Sequence, residues 1–153
     1  MKQLNTLLLL LFVTVGALAQ QTETTDKPDA TKYLTTNEFK SKIYNYKESP
    51  TEWKYKGERP CIIDFYATWC GPCRNLAPVL QSVATDHAGV IDVYKVDVDK
   101  EPELAKVFSI STVPSLLFVP SDGLPQMAQG ALPRIYLDKI IAEVLKVRVE
   151  SKE

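Results

Sequence analysis

Two cysteines separated by Gly71-Pro72, in the run Trp69-Cys70-Gly71-Pro72-Cys73-Arg74, stand where an apolar segment gives way to a helical pattern, and no other feature limits the fold as tightly. Cys61 to Tyr66 reads as a strand that delivers the chain to the top of a sheet. Gly71-Pro72 then turn it sharply into a helix predicted from about Cys73 to Ala84. Cys70 is therefore expected at the exposed N-terminus of that helix. Backbone N–H groups and the positive end of the helix dipole favour a thiolate there and lower a cysteine pKa from about 8.5 to roughly 3.5 to 7.5. Cys73, one turn further in, is expected to be the less exposed thiol, placed to attack a mixed disulfide formed at Cys70.

The same spacing serves other chemistries, and the surrounding residues weigh against each. Covalent haem attachment needs a histidine directly after the second cysteine, where this chain has Arg74. A structural zinc site wants four ligands, usually as two pairs. The chain offers only Cys61, Cys70, Cys73 and His87 from the Cys/His set, with no second pair. A purely structural disulfide across so short a loop restricts the unfolded chain little.

The stretch Ile62 to Pro78, with Asp64-Phe65-Tyr66-Ala67, Trp69-Cys70-Gly71-Pro72-Cys73 and the later Thr112-Val113-Pro114, resembles the thioredoxin family. The resemblance extends over roughly Tyr33 to Val149 and takes in Lys95-Val96-Asp97-Val98-Asp99 and the late glycine Gly130. It implies an α/β thioredoxin fold, a central mixed β-sheet with helices on both faces. It also implies a cis peptide before Pro114, facing the active-site disulfide. Two departures stand out. Lys47 to Arg59 lengthens the connection between the first helix and first central strand by about ten residues, and Tyr66 stands where many thioredoxins carry tryptophan.

At the N-terminus, Lys2, an apolar run from Leu4 to Gly16 and Ala17-Leu18-Ala19 form the pattern of a signal peptide over residues 1–19, with cleavage expected before Gln20. The apolar run is shorter than the roughly 20 residues of a membrane-spanning helix. Residues 20–32, rich in Gln, Thr, Asp and Lys, are expected to form a disordered leader. Residues 33–149 then fit one domain, followed by a short tail over 150–153. Net charge is −1 and the basic residues are scattered, which leaves no footprint for nucleic acid.

Alternating strand and helix patterns argue for a sheet covered on both faces. A helix is expected from Thr36, capped by Thr35 or Thr36, with Phe39, Ile43 and Tyr46 as its apolar stripe. After the strand 61–66 and the helix 73–84, kinked at Pro78, come a strand at 91–98 and a short helix at 101–108. An antiparallel pair at 115–119 and 126–130 and a closing amphipathic helix to Val147 complete the order. The 47–59 connection reads as a surface loop pinned by one buried aromatic, Trp53 or Tyr55, or as a partner-binding patch.

Asp64 interrupts an apolar strand expected to be buried on both faces. Burial raises the pKa of a carboxyl, so Asp64 is placed to take and return the proton of Cys73, unless it lies at a solvated strand end. Lys95 matches the lysine that lies beside this aspartate in the family; read alone, it is one of the alternating charges with Asp97 and Asp99. Cys61 reads as an inert buried thiol and His87 as a solvated loop residue without function.

The implied chemistry is thiol–disulfide exchange in two displacements, with Cys70 and Cys73 as the reacting thiols and Asp64 and Lys95 assisting. Trp69, Gly71, Pro72, Val113, Pro114 and Gly130 are expected to form the apolar face for substrate, with Val113 offering its backbone to an extended peptide. No metal or organic cofactor is implied, and nothing resembles a dinucleotide-binding glycine motif. Electrons must then come from another protein, expected to be embedded in a membrane. Three classes stay open. The Gly-Pro pair favours an exported, periplasmic and monomeric reductase of disulfide-bearing exported proteins; an oxidase or isomerase in protein folding and a non-catalytic partner or chaperone are the alternatives.

Overall fold

A computed structural model of the protein describes residues 29–148. The expected signal peptide, the leader to residue 28, the last domain residue, 149, and the expected tail over 150–153 lie outside the described residues. The elements in chain order are β1 (Lys32–Tyr33), α1 (Thr36–Lys42), β2 (Cys61–Tyr66), α2 (Gly71–Asp86), β3 (Asp92–Asp97), α3 (Pro102–Val107), β4 (Ser115–Val119), β5 (Gln126–Gln129) and α4 (Arg134–Glu143). They build one five-stranded sheet in the order β1-β3-β2-β4-β5. β1, β3 and β2 run parallel; β4 and β5 are antiparallel additions. This is the mixed sheet expected from the sequence.

β2 lies at the centre of the sheet and is buried along almost its whole length, because helices cover both faces. Its alternation divides the core in two. Ile62 packs with Leu76, Leu80 and Val83 of α2 and Leu137 and Ile141 of α4. Cys61, Ile63 and Phe65 face the other way, onto Phe39 and Ile43 at α1 and Leu104 of α3. Asp64 shares the face of Ile62, so its carboxyl is directed toward α2.

Local signals explain the helix starts. Thr35 caps α1: Glu38 N–H donates to Thr35 Oγ1, and the Glu38 carboxylate accepts from the Thr35 backbone N–H, a reciprocal capping box. α2 starts at Gly71, two residues earlier than expected, with Cys70 as its N-cap and Pro72 in the first turn, where its missing N–H costs no hydrogen bond. Pro78 lies inside the helix. α4 ends at Glu143, short of the expected Val147, with Val144 as its C-cap and Lys146 at a positive φ of 59°.

Residues 29–32, ahead of the expected domain start at Tyr33, are already tied to the fold. Thr31 N–H and Oγ1 both donate to Asp29 Oδ1, at 2.9 and 2.6 Å, Ala30 N–H donates to Gln81 Oε1 at 3.0 Å, and Lys32 pairs in register with Tyr94. A two-residue edge strand is too short to show a period in the sequence. The 47–59 loop is held by two aromatics where one was expected. Trp53 stacks on Tyr44 with ring centroids 4.3 Å apart, and the Tyr55 hydroxyl donates to the Arg59 carbonyl. Gly57 lies so close to the Tyr55 ring that a Cβ there would clash with its hydroxyl oxygen.

Candidate active site

Where β2 ends, the chain crosses into α2 and brings the two cysteines together. Cys70 and Cys73 are joined by a disulfide. Cys70 caps the helix with its sulfur: the Cys73 backbone N–H donates to Cys70 Sγ at 3.1 Å. An N–H aimed at this sulfur, added to the helix dipole, stabilises negative charge on Cys70 once the disulfide is reduced. Cys70 Sγ also lies 3.6 Å from the Val113 carbonyl oxygen. The expected difference in exposure is absent, since both cysteines are 4% exposed. What separates them is the N–H directed at Cys70.

The second wall of the site is the turn before β4. The Val113–Pro114 peptide is cis, and the Gly130 N–H donates to the Pro114 carbonyl at 2.8 Å. Gly130 has φ +90°, a conformation that a side chain would strain. Trp69 is exposed, and its indole N–H donates to Asp99 Oδ2 at 2.9 Å, which fixes the ring beside the disulfide. Gly71 and Val113 are half-buried, Pro72 and Gly130 exposed and Pro114 buried. Cys70 thus lies between the Trp69 turn and the Val113-Pro114 turn, with Gly130 tied to the latter.

Sequence reasoning missed how far this face extends. An open groove of about 450 Å³ runs from Trp69 and Val113 over Val98, Pro102, Ala105 and Ile110. Val98 and Ala105 carry no polar atom that would mark them in a sequence; their alignment with Trp69 appears only when α3 packs beside β3.

Behind the disulfide, Asp64, Tyr66, Thr68, Cys73, Ala77 and Lys95 line a smaller cavity of about 100 Å³. Asp64 is 1% exposed, and its Oδ1 has no hydrogen-bond partner in the protein. Burial pushes its carboxyl up to about 7, against the opposing pull of the Lys95 ammonium. Asp64 and Lys95 are register partners across β2 and β3. The structure therefore brings both residues to the Cys73 side of the site.

His87 corrects the sequence reading: it is buried, 7% exposed, and its Nε2 has no hydrogen-bond partner. Cys61 is fully buried on the opposite side of the sheet, where burial pushes its thiol up to about 12. Among the described residues, no group of three or more His, Cys, Asp or Glu side chains is arranged to hold a metal ion.

The family model described as Thioredoxin matches residues 30–143. A thioredoxin of Borreliella burgdorferi is 40% identical over 110 residues, covering 72% of this chain and 93% of the relative. A thioredoxin of Alicyclobacillus acidocaldarius is 37% identical over 91 residues, 60% of this chain and 87% of the relative. Among solved structures, the crystal structure of chloroplastic thioredoxin z superposes with a TM-score of 0.63 at 27% identity, covering 76% of this chain and 96% of that one.

Proposed function

The chain belongs to the thioredoxin family and is a thioredoxin-type disulfide oxidoreductase, and from that premise we propose that it is an exported reductase of protein disulfides. The observation that carries the reading is the sulfur cap of α2, with Cys73 N–H donating to Cys70 Sγ at 3.1 Å. In the reduced protein this N–H supports a Cys70 thiolate, the nucleophile that exchange requires.

Cys70 attacks one sulfur of a substrate disulfide. The substrate S–S bond breaks, a mixed disulfide forms, and the other substrate sulfur leaves as a thiolate that takes up a proton. Cys73 passes its proton to Asp64 across the cavity that both line, and its thiolate attacks Cys70 Sγ. The mixed disulfide breaks, the second substrate thiol leaves, and the Cys70–Cys73 disulfide remains. Two electrons have moved from the dithiol to the substrate, through sulfur alone. A carboxyl that titrates near 7 is suited to this transfer at neutral pH, and Lys95 tunes it.

Trp69, Gly71, Pro72, Val113, Pro114 and Gly130 receive the substrate peptide, with the apolar groove beside Trp69 taking side chains next to the substrate disulfide. The N-terminal pattern ending in Ala17-Leu18-Ala19 supports export to a periplasm, where the protein acts as a monomer on disulfide-bearing exported proteins. A membrane-embedded protein donor restores the dithiol.

Reduction of insulin tests the roles. The mature protein is expected to turn over, Cys70→Ser to be inactive and Cys73→Ser to accumulate a mixed disulfide. Turnover by Cys73→Ser at the wild-type rate would overturn the assignment. Export is read by intact mass: the secreted form should begin at Gln20, and recovery of residues 1–19 in a membrane fraction contradicts it.

A further inference from the structure

Tyr33, Lys95 and Asp64 form one row across three neighbouring strands. Tyr33 on β1 is the register partner of Lys95 on β3, and Lys95 is the register partner of Asp64 on β2. Tyr66, two residues beyond Asp64, projects from the same face of β2. The Lys95 ammonium lies 5.4 Å from the centroid of the Tyr33 ring and 5.0 Å from that of Tyr66, within cation–π range of both.

We propose that Tyr33 is a positioning residue for the proton step at Cys73: its ring, with that of Tyr66, clamps the Lys95 ammonium at the cavity where its charge acts on Asp64. The proposal rests on the relay reading given above. A free lysine side chain carries large rotamer entropy and moves toward water. Here Asp29, the first of the described residues, attracts the same ammonium. The two rings oppose that outward pull and keep the charge at the cavity wall. The other groups facing Asp64 are Tyr66 on its own strand and Cys73 and Arg74 from α2. Arg74 is also a cation, but its guanidinium donates to the Thr68 carbonyl at 3.3 Å, and Lys95 is the charge that acts on Asp64, so the placement of Lys95 sets how far the effect of burial on Asp64 is offset. Tyr33 is 66% exposed, so its ring packs over the lysine without being part of the core.

The test is the titration of the Asp64 side-chain carboxyl, followed by carbon NMR in the disulfide form, for the parent, Tyr33→Phe, Tyr33→Leu and Lys95→Gln. Tyr33→Leu is expected to raise the midpoint by about half a pH unit, about threefold less carboxylate below the midpoint. Tyr33→Phe keeps the ring and is expected to match the parent, and Lys95→Gln to give the largest rise. Single-turnover resolution of the mixed disulfide should show the same ordering in its pH profile. A Tyr33→Leu midpoint equal to the parent, with Lys95→Gln shifted, overturns the clamp and leaves the relay standing. An equal shift in Tyr33→Phe and Tyr33→Leu also overturns it, since the hydroxyl and not the ring would then be responsible. If Lys95→Gln leaves both readouts unmoved, Lys95 does not tune Asp64 and the clamp falls with it; the relay itself fails only if Asp64→Asn resolves the mixed disulfide with the parent's pH profile. The exposed Tyr33 can be changed without disturbing Leu34, which is buried and anchors β1 in the core.

Discussion

Asp64 sets stability against chemistry within one side chain. Its carboxyl is buried and titrates at about 7 instead of the ordinary 3.8. Below about pH 4 both the folded and the unfolded chain hold this proton, and the group does not penalise the fold. As pH rises the unfolded chain releases the proton first, so stability is lost between about pH 4 and about pH 7 and stays lower above that. Asp64→Asn removes the loss. Urea unfolding should find the variant more stable than its parent at about pH 8, by up to about 4 kcal/mol at roughly 1.4 kcal/mol per pH unit, with the gain vanishing near pH 4. The same variant should resolve the mixed disulfide more slowly near neutrality while attack by Cys70 changes less; a loss of stability at about pH 8 would make Asp64 a structural residue. Cys61 gives a second check at this scale. With its thiol pushed up to about 12 by burial, it should resist alkylation in the reduced native protein while Cys70 reacts, as mass spectrometry of iodoacetamide-treated protein will show. Labelling of Cys61 as fast as Cys70 would contradict this.

α2 joins the redox site to the far side of the domain, and its two ends were unequally legible in the sequence. Its start was visible because Gly-Pro between two cysteines is strong local chemistry, and Asp64 because a charge in an apolar strand stands out; Lys95, one of several alternating charges in its strand, stood out only through the resemblance to thioredoxins. Its end was not. Asp86-His87-Ala88-Gly89 reads locally as a solvated turn, yet α2 continues to Asp86, and Arg134 of α4 lies over that end, donating to Asp86 Oδ2 at 2.8 Å. A contact between segments so far apart in sequence leaves no periodic trace. Tyr33 was missed for the complementary reason, that a two-residue edge strand carries no alternation to read. Burial and the Arg134 charge hold His87 below its ordinary pKa, with Asp138 and Asp86 pulling the other way. In the unfolded chain the same residue protonates near pH 6.5, so its contribution is fully present above that pH and is lost as pH falls. His87→Gln should therefore lose less thermal stability between about pH 7 and pH 5 than the parent does; equal losses would show that His87 accepts its proton inside the fold.

Across the whole molecule, chemistry and the added loop are kept apart. Cys70 follows the C-terminal end of β2, whereas Tyr55 and Arg59 lie before its first residue, and Arg59 pairs with Asp92 at the matching end of β3. Trp53→Ala should accordingly cost about 2 kcal/mol in denaturant unfolding, less than the roughly 3 to 5 kcal/mol of a fully buried ring, without changing the rate of insulin reduction. A reduced rate at unchanged stability would instead place the loop in substrate binding. Whether this chain gives electrons to protein disulfides is read from the equilibrium of Cys70–Cys73 with reduced and oxidised glutathione. A reductase is expected to show a potential near the value characteristic of thioredoxins, about −270 mV, where about 30 mV is tenfold in the equilibrium constant. A potential close to the roughly −120 mV of a strong disulfide donor would contradict it and make the protein an oxidase.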